Sequence, residues 1–338
     1  MDDKQIGQKI ADSVKSDNEV SVIKEFSSCS RENETLFFLK SEFFHIKNIN
    51  LIKSLLSFVL NEINNFNIDI AGIVALSGSF LNNSRIMERH YGFINKFSVK
   101  GSVLVDDAQK EKIKEVLSIK DLYNHKILGG HEVINRYKNV DDRMLTEMWY
   151  SKNSIRIGEG FYIQPHYINE ENVILINGFH PNQLQHYTNT ESRIVLFLLQ
   201  TDTGWIKLRN NFVGDTFPQN ALDGSIRATL YKNSADYGIE NINVANNFVH
   251  ASSGPFDALF EICNFVGSIE EIDYCDKNTN IYNLMKNKYN LTELDFHNAL
   301  DNPCRKVGGK ETDLFTYTKN KNTFNAISDY TRYFRKSG

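Results

Sequence analysis

The sequence predicts an α+β protein, an antiparallel sheet layered with helices and interrupted by a large inserted subdomain. Three observations carry this. The runs Leu36-Phe37-Phe38-Leu39 and Ile194 to Leu199 are continuously apolar and of strand length, as in strands buried on both faces. Apolar residues at helical spacing, led by Leu51, Ile52, Leu55, Leu56, Val59 and Ile63, separate the strand-like runs. The pattern loosens between about residues 97 and 190 and resumes at Arg193. Without that insertion the order is strand, helix, strand, helix, strand, loop, strand, helix. Two β-α-β-like halves of this kind predict a ferredoxin-like α/β sandwich with helices on one face.

Residues 1–33 read as a polar helical lead-in, with Ile6, Ile10 and Val14 forming a stripe for docking or an oligomer contact. The first core strand is Thr35 to Leu39, ending at Lys40, and the helix carrying Leu51 to Ile63 follows. The second strand is Ile68 to Leu76, and a helix from about Ser79 to Tyr91 comes next. The insertion, 99–190, contains a charged helix from Ala108 to Leu117, a Gly129-Gly130 turn and a strand at Val173 to Ile176. Its histidines, His125, His131, His166, His180 and His186, show no H-x-x-x-H spacing, so no metal site is expected. After the strand Ile194 to Leu199, Thr203 to Phe212 reads as a short helix or extended turn, and Gly214-Asp215-Thr216-Phe217-Pro218 as a loop. Ser225 to Leu230 is a short ordered segment bearing Arg227. Phe248-Val249 then run into His250, a small-residue turn and a helix beginning at Pro255. The tail, 269–338, is polar, with helical pieces near Ile281–Tyr289 and Leu294–Leu300. Its Gly308-Gly309-Lys310-Glu311 lacks the first glycine and the hydroxyl residue of a phosphate-binding P-loop. The expected core is therefore 34–98 with 191–268.

The totals exclude several classes. With 41% hydrophobic and 12% aromatic residues, the 338-residue chain can fill a sizeable core. A net charge of −4 removes the basic footprint that nucleic-acid binding requires, while leaving room for a local basic pocket. No apolar run approaches the roughly 20 residues needed to span a bilayer. Cys29, Cys263, Cys275 and Cys304 show no C-x-x-C pairing and read as reduced thiols. With the polar, acidic start Met1-Asp2-Asp3, this predicts a cytoplasmic protein without membrane or nucleic-acid partners.

The polar residues at the ends of the core strands are Lys40, Tyr91, Arg209, Thr216, Arg227, Asn247, His250, Ser252 and Glu261. Cations and hydroxyls suit a polyphosphate: lysine is a point charge, arginine a fork matched to phosphate oxygens. A neutral imidazole is a nucleophile, and a carboxylate on one ring nitrogen fixes which nitrogen attacks.

The order of these residues resembles the nucleoside diphosphate kinase family over residues 35–100 and 192–268. Thr35 to Lys40 is similar to its first strand, and Glu88-Arg89-His90-Tyr91 to its Glu-His-Tyr helix end. Gly214 to Pro218 with Asp223-Gly224-Ser225-Ile226-Arg227 resembles Gly-Glu-Thr-Asn-Pro followed by Pro-Gly-Thr-Ile-Arg. Asn247-Phe248-Val249-His250-Ala251-Ser252-Ser253 resembles the active-site Asn-x-x-His-Gly-Ser-Asp. The resemblance implies that His250 is phosphorylated by a nucleoside triphosphate such as ATP. Lys40, Tyr91, Thr216 and Arg227 would then contact phosphates, Asn247 the ribose, and Ser252 and Glu261 would support His250. It also implies Mg2+ arriving with the nucleotide and a nucleoside diphosphate or specialised small-molecule phosphate acceptor, and it leaves room for a homo-oligomer. Departures are Ala251 and Ser253, and Asn210 where the family has a second arginine, so that Arg209 or Lys207 would have to substitute. Losing one preorganised donor costs about 2.7–4 kcal/mol of transition-state stabilisation. A nucleotide-binding regulatory module with reduced or no phosphotransfer is the other reading these departures allow.

Overall fold

The computed structural model describes residues 1–28, 31–46, 48–158, 160–239, 242 and 246–336. The chain divides into two compact units, Met1–Ser84 with Thr190–Gly338, and Arg85–Asn189. Both are mixed α+β.

The larger unit is built on an antiparallel sheet of β1 (Val20–Lys24), β2 (Asn33–Leu39), β3 (Asp69–Ser77), β4 (Arg193–Thr201) and β5 (Val249–Ala251). Their spatial order is β1-β3-β4-β2-β5. Register places Phe37 opposite Phe197 across β2 and β4, and Phe38 opposite His250 across β2 and β5. Successive side chains of a strand point to opposite faces. Phe37 and Leu39 accordingly share a core with Leu55, Leu56 and Val59 of the helix Ile49–Asn65, and with Ile226 and Leu230 of the helix Ile226–Lys232. Phe38 packs instead on Phe265 of the helix Pro255–Phe265, ring centroids 5.6 Å apart.

Helices thus cover both faces, where the element order predicted one. The cause is the continuous apolar run itself: Leu36, Phe37, Phe38 and Leu39 are all fully buried, so each face needs a covering layer. On the Pro255–Phe265 side the layer continues into the tail. Phe256 and Leu259 join a cluster with Tyr282, Phe296, Ile327 and Tyr330.

The expected core strands form with their ends shifted by one or two residues. The lead-in differs: the helix Asp3–Val14, capped by Asp2, is followed by β1 rather than by more helix. Val20-Ser21-Val22-Ile23 is rich in β-branched residues and pairs along β3. The helix expected over Ser79 to Tyr91 is broken into Gly78–Asn83 and Ile86–His90, because Arg85 between them is left-handed, φ 54°. In the tail, Gly308 and Gly309, φ 58° and 84°, turn a hairpin between Cys304–Val307 and Lys310–Asp313. Cys263, Cys275 and Cys304 are free thiols, and Cys29 lies outside the described residues.

The smaller unit has its own four-stranded sheet, in the order His125–Gly129, Glu171–Ile176, Phe161–Ile168, Ile155–Gly158. The first pair is parallel and the others antiparallel. Val133, Leu145, Trp149 and Leu175 form one of its cores. Among the described residues, no helix is long and apolar enough to cross a membrane.

Candidate functional site

His250 lies in the three-residue edge strand β5, and its ring stacks on Phe38 at 4.5 Å between centroids. The chain enters β5 through Phe248, a buried aromatic held at φ 67°. A left-handed conformation in a bulky residue costs about 1–3 kcal/mol and persists only where surrounding bonds over-determine it. Here two do. The Phe248 N–H donates to Glu42 Oε1 (2.8 Å), and its carbonyl accepts from Lys40 N–H (2.8 Å).

Beyond His250, Ser252 and Ser253 turn the chain into the helix Pro255–Phe265, which returns Glu261 to the imidazole. His250 Nε2 is 2.7 Å from Glu261 Oε1. Ser252 Oγ donates to Glu261 Oε2 (2.6 Å) and accepts from the Leu36 N–H (3.1 Å). Backbone of β2, serine, carboxylate and imidazole therefore form one chain of hydrogen bonds. Glu261 is 3% exposed at its side chain and His250 22%, so the carboxylate is sealed while the ring keeps access to solvent. With Nε2 donating to the carboxylate, the neutral ring carries its lone pair on Nδ1. The imidazole is held well below its ordinary pKa. Burial is the largest cause, opposed by the negative charge of Asp257 and reinforced by Lys40, Arg227 and Arg209.

The three cations are each anchored. Lys40 Nζ donates to Asn247 Oδ1 (2.7 Å), and burial pushes its pKa down to about 8, with Glu42 pulling it up and Arg227 pushing it further down. Arg227, in the first turn of the helix Ile226–Lys232, donates to the Gly214 carbonyl (2.9 Å) and the Val249 carbonyl (2.7 Å). Gly214, at φ 94°, is packed so closely that a Cβ there would lie 2.5 Å from Ser225 Oγ. Only glycine can bring this carbonyl to Arg227 without strain. Arg209 lies on a helical turn, Leu208–Val213, closed by an i+5 bond from Gly214 N–H to the Arg209 carbonyl. Its Nη1 donates to Asn320 Oδ1 (2.9 Å).

Asn247 is buried and bridges two segments, accepting from Lys40 and donating from Nδ2 to the Thr216 carbonyl (2.9 Å). Thr216 is exposed on its loop. Tyr91 belongs to the smaller unit, where its ring stands edge-on to His180 at 5.7 Å and its hydroxyl lies 3.4 Å from that of Tyr187. Of the two residues that could replace the second arginine, Lys207 sits over the Phe66 ring (5.8 Å) and Arg209 is half-buried. Asn210 is exposed.

Three groups escaped the sequence reading. Glu42 holds the Phe248 backbone, Asn320 holds Arg209, and Asp257 accepts from the Ser253 N–H (2.6 Å). Burial, then the nearby Glu261, raises Asp257 to about 6. An acidic residue in a first helical turn was a signal for Asp257. No pattern pointed to Asn320. Chemically, the assembly offers a neutral, oriented imidazole beside three cations, a setting for an anionic electrophile.

No protein-family model matches the chain, and no curated protein matches it. Similar solved structures are nucleoside diphosphate kinases. The apo enzyme of Encephalitozoon cuniculi is 11% identical, with 70% of this chain and 89% of that one covered, at a TM-score of 0.33. An NDP kinase of Pyrobaculum aerophilum is 15% identical, covering 69% and 94%, at 0.34. The Borrelia burgdorferi enzyme, a transition-state mimic with bound vanadate and ADP, is 14% identical, covering 69% and 86%, at 0.32.

Proposed function

We propose that the larger unit is a phosphotransferase in which His250 carries the γ-phosphate of a nucleoside triphosphate to a second acceptor. The observation that carries this reading is the hydrogen-bonded chain from Leu36 through Ser252 and Glu261 to His250 Nε2, beside three buried or half-buried cations. The strands β2, β3, β4 and β5, with the helix Ile49–Asn65 after β2 and helical segments between β4 and β5, follow a β-α-β-β-α-β plan. On this reading they form a ferredoxin-like core, 34–98 with 191–268. The segment 99–190 is then an insertion and 269–338 an added tail.

In the first half-reaction, the Nδ1 lone pair attacks the γ-phosphorus. An N–P bond forms, the bond to the β–γ bridging oxygen breaks, and the nucleoside diphosphate leaves. The imidazole gains positive charge as it attacks, and Glu261 stabilises that charge through the Nε2–H. Lys40, Arg209 and Arg227 offset the negative charge of the phosphoryl oxygens. In the second half-reaction, an acceptor oxygen attacks the same phosphorus and the N–P electrons return to Nδ1. The acceptor is a nucleoside diphosphate or a specialised small molecule. Mg2+ would enter with the nucleotide, neutralising phosphate charge and keeping most of its ligands as phosphate oxygens and water. The cations and amides of the site fit the phosphates rather than the ion.

Incubation with γ-labelled ATP tests the proposal. Acid-labile label is expected on the wild-type chain and absent from His250→Ala. Absence of label from the wild type sinks the mechanism, and tight nucleotide binding without label would make the protein a nucleotide-binding regulatory module instead.

A further inference from the structure

The tail reaches the site at one turn, residues 318–322. The Asn320 N–H donates to the Ser253 carbonyl (3.0 Å), in the loop that follows His250. The Asn320 side chain meanwhile accepts from Arg209 Nη1 (2.9 Å). One residue of the tail therefore ties the histidine loop to the half-buried cation beside it. The packing between tail and loop is close. A Cβ at Gly254 would lie 2.9 Å from the Thr318 carbonyl and 3.1 Å from Lys319 Cα. Asn322 Oδ1 accepts from the Trp205 N–H (3.2 Å), at the start of the helical stretch that carries Arg209. Arg209 also lines a small void of about 10 Å3 with Trp205, Ala251 and Ser252. Asn320 itself is left-handed, φ 65°, a conformation that asparagine tolerates and most residues do not.

We propose that Asn320 is a positioning residue that presets Arg209 to receive the polyphosphate at His250, so that the tail completes the site in cis. This rests on the phosphotransfer reading above. A guanidinium on a half-buried side chain loses affinity for phosphate if it must be ordered on binding, and the Asn320 bond removes that cost in advance. Asn320 bonds both the Arg209 guanidinium and the Ser253 carbonyl three residues after His250, which holds the guanidinium beside the histidine loop.

The test uses the full-length chain and two probes, Mg·ATP and inorganic tripolyphosphate, with affinity read by calorimetry and labelling by γ-labelled ATP. Asn320→Gly keeps the left-handed turn and the N–H to Ser253 while deleting the acceptor. It is expected to weaken both probes about tenfold while the chain stays folded, with a melting temperature only a few degrees lower. Arg209→Ala is expected to weaken them at least as much, and the double variant to bind no worse than Arg209→Ala alone, since Asn320 acts through Arg209. Additive losses in the double variant, or wild-type affinity in Asn320→Gly, overturn the proposal. Label on wild-type His250 with unchanged affinity in Asn320→Gly overturns the role of Asn320 and leaves the phosphotransfer reading standing. Binding and non-additivity without label do the reverse. A wild type that binds neither probe overturns both.

Discussion

Two histidines, one in each unit, show how different partners can surround a buried or partly buried imidazole. His180, at the start of the helix His180–Thr188, is fully buried, and burial lowers its pKa to about 4. His250 is also held below its ordinary value, chiefly by burial. The difference lies in the partners. The His180 ring nitrogens meet amide groups, Gln183 Oε1 at 3.1 Å and Asn95 Oδ1 at 3.2 Å. A neutral ring has one N–H to offer these oxygens, and although the Gln183 bond pulls the pKa up, burial outweighs it; neither partner is a carboxylate that could stabilise a positive charge. His250 meets a carboxylate through Nε2, and that carboxylate is itself fixed by Ser252. A carboxylate stabilises the positive charge that appears on an attacking imidazole, and its position selects the nitrogen that attacks.

The two histidines differ most through Glu261. Glu261→Gln removes the charge and lets the amide present either an oxygen or an NH2, so labelling of His250 should slow on the order of 100-fold. A rate within about threefold of wild type would mean that the carboxylate is only structural. Next comes pH. Lys40 has its pKa lowered to about 8, so it is charged below that value and loses its charge as pH rises through it. Nucleotide affinity, measured by calorimetry, should therefore fall up to about tenfold between roughly pH 7 and 9, and Lys40→Met should flatten that profile. Ser252→Ala leaves Glu261 charged but less fixed. Labelling should slow about fivefold, the worth of one hydrogen bond. The smallest effect is at His180. His180→Ala should lower stability by about 2 kcal/mol in denaturant unfolding, while the labelling rate stays within about twofold of wild type. Loss of labelling in a folded His180→Ala chain would erase the distinction between the two histidines.

Much of the core was legible because hydrophobic periodicity is local. The runs Leu36 to Leu39 and Ile194 to Leu199 are strands, and Leu51 to Ile63 lies on one helix. His250, Ser252 and Glu261 were grouped by the resemblance to a known family, and a strand, a turn and a helix bring these residues, close in the chain, into one set of hydrogen bonds. Strand β1 was hidden because it follows a helix-like stripe and is short, and its partners on β3, such as Leu76 for Val20, lie far along the chain. The break at Arg85 was hidden because a left-handed residue inside a helical pattern leaves no periodic mark. The layer over the second face followed from runs read as buried on both sides, yet the element order offered helices for only one.

Local sequence was enough for the main core strands and the Ile49–Asn65 helix, and for the chemical groups available near the strand ends. Apolar spacing sets the first and residue identity the second. Long-range packing sets which nitrogen of His250 faces Glu261, which carbonyls hold Arg227, and that Asn320, 111 residues from Arg209, holds its guanidinium. Hydrogen bonds between distant segments follow from how the layers pack, and no local period encodes them.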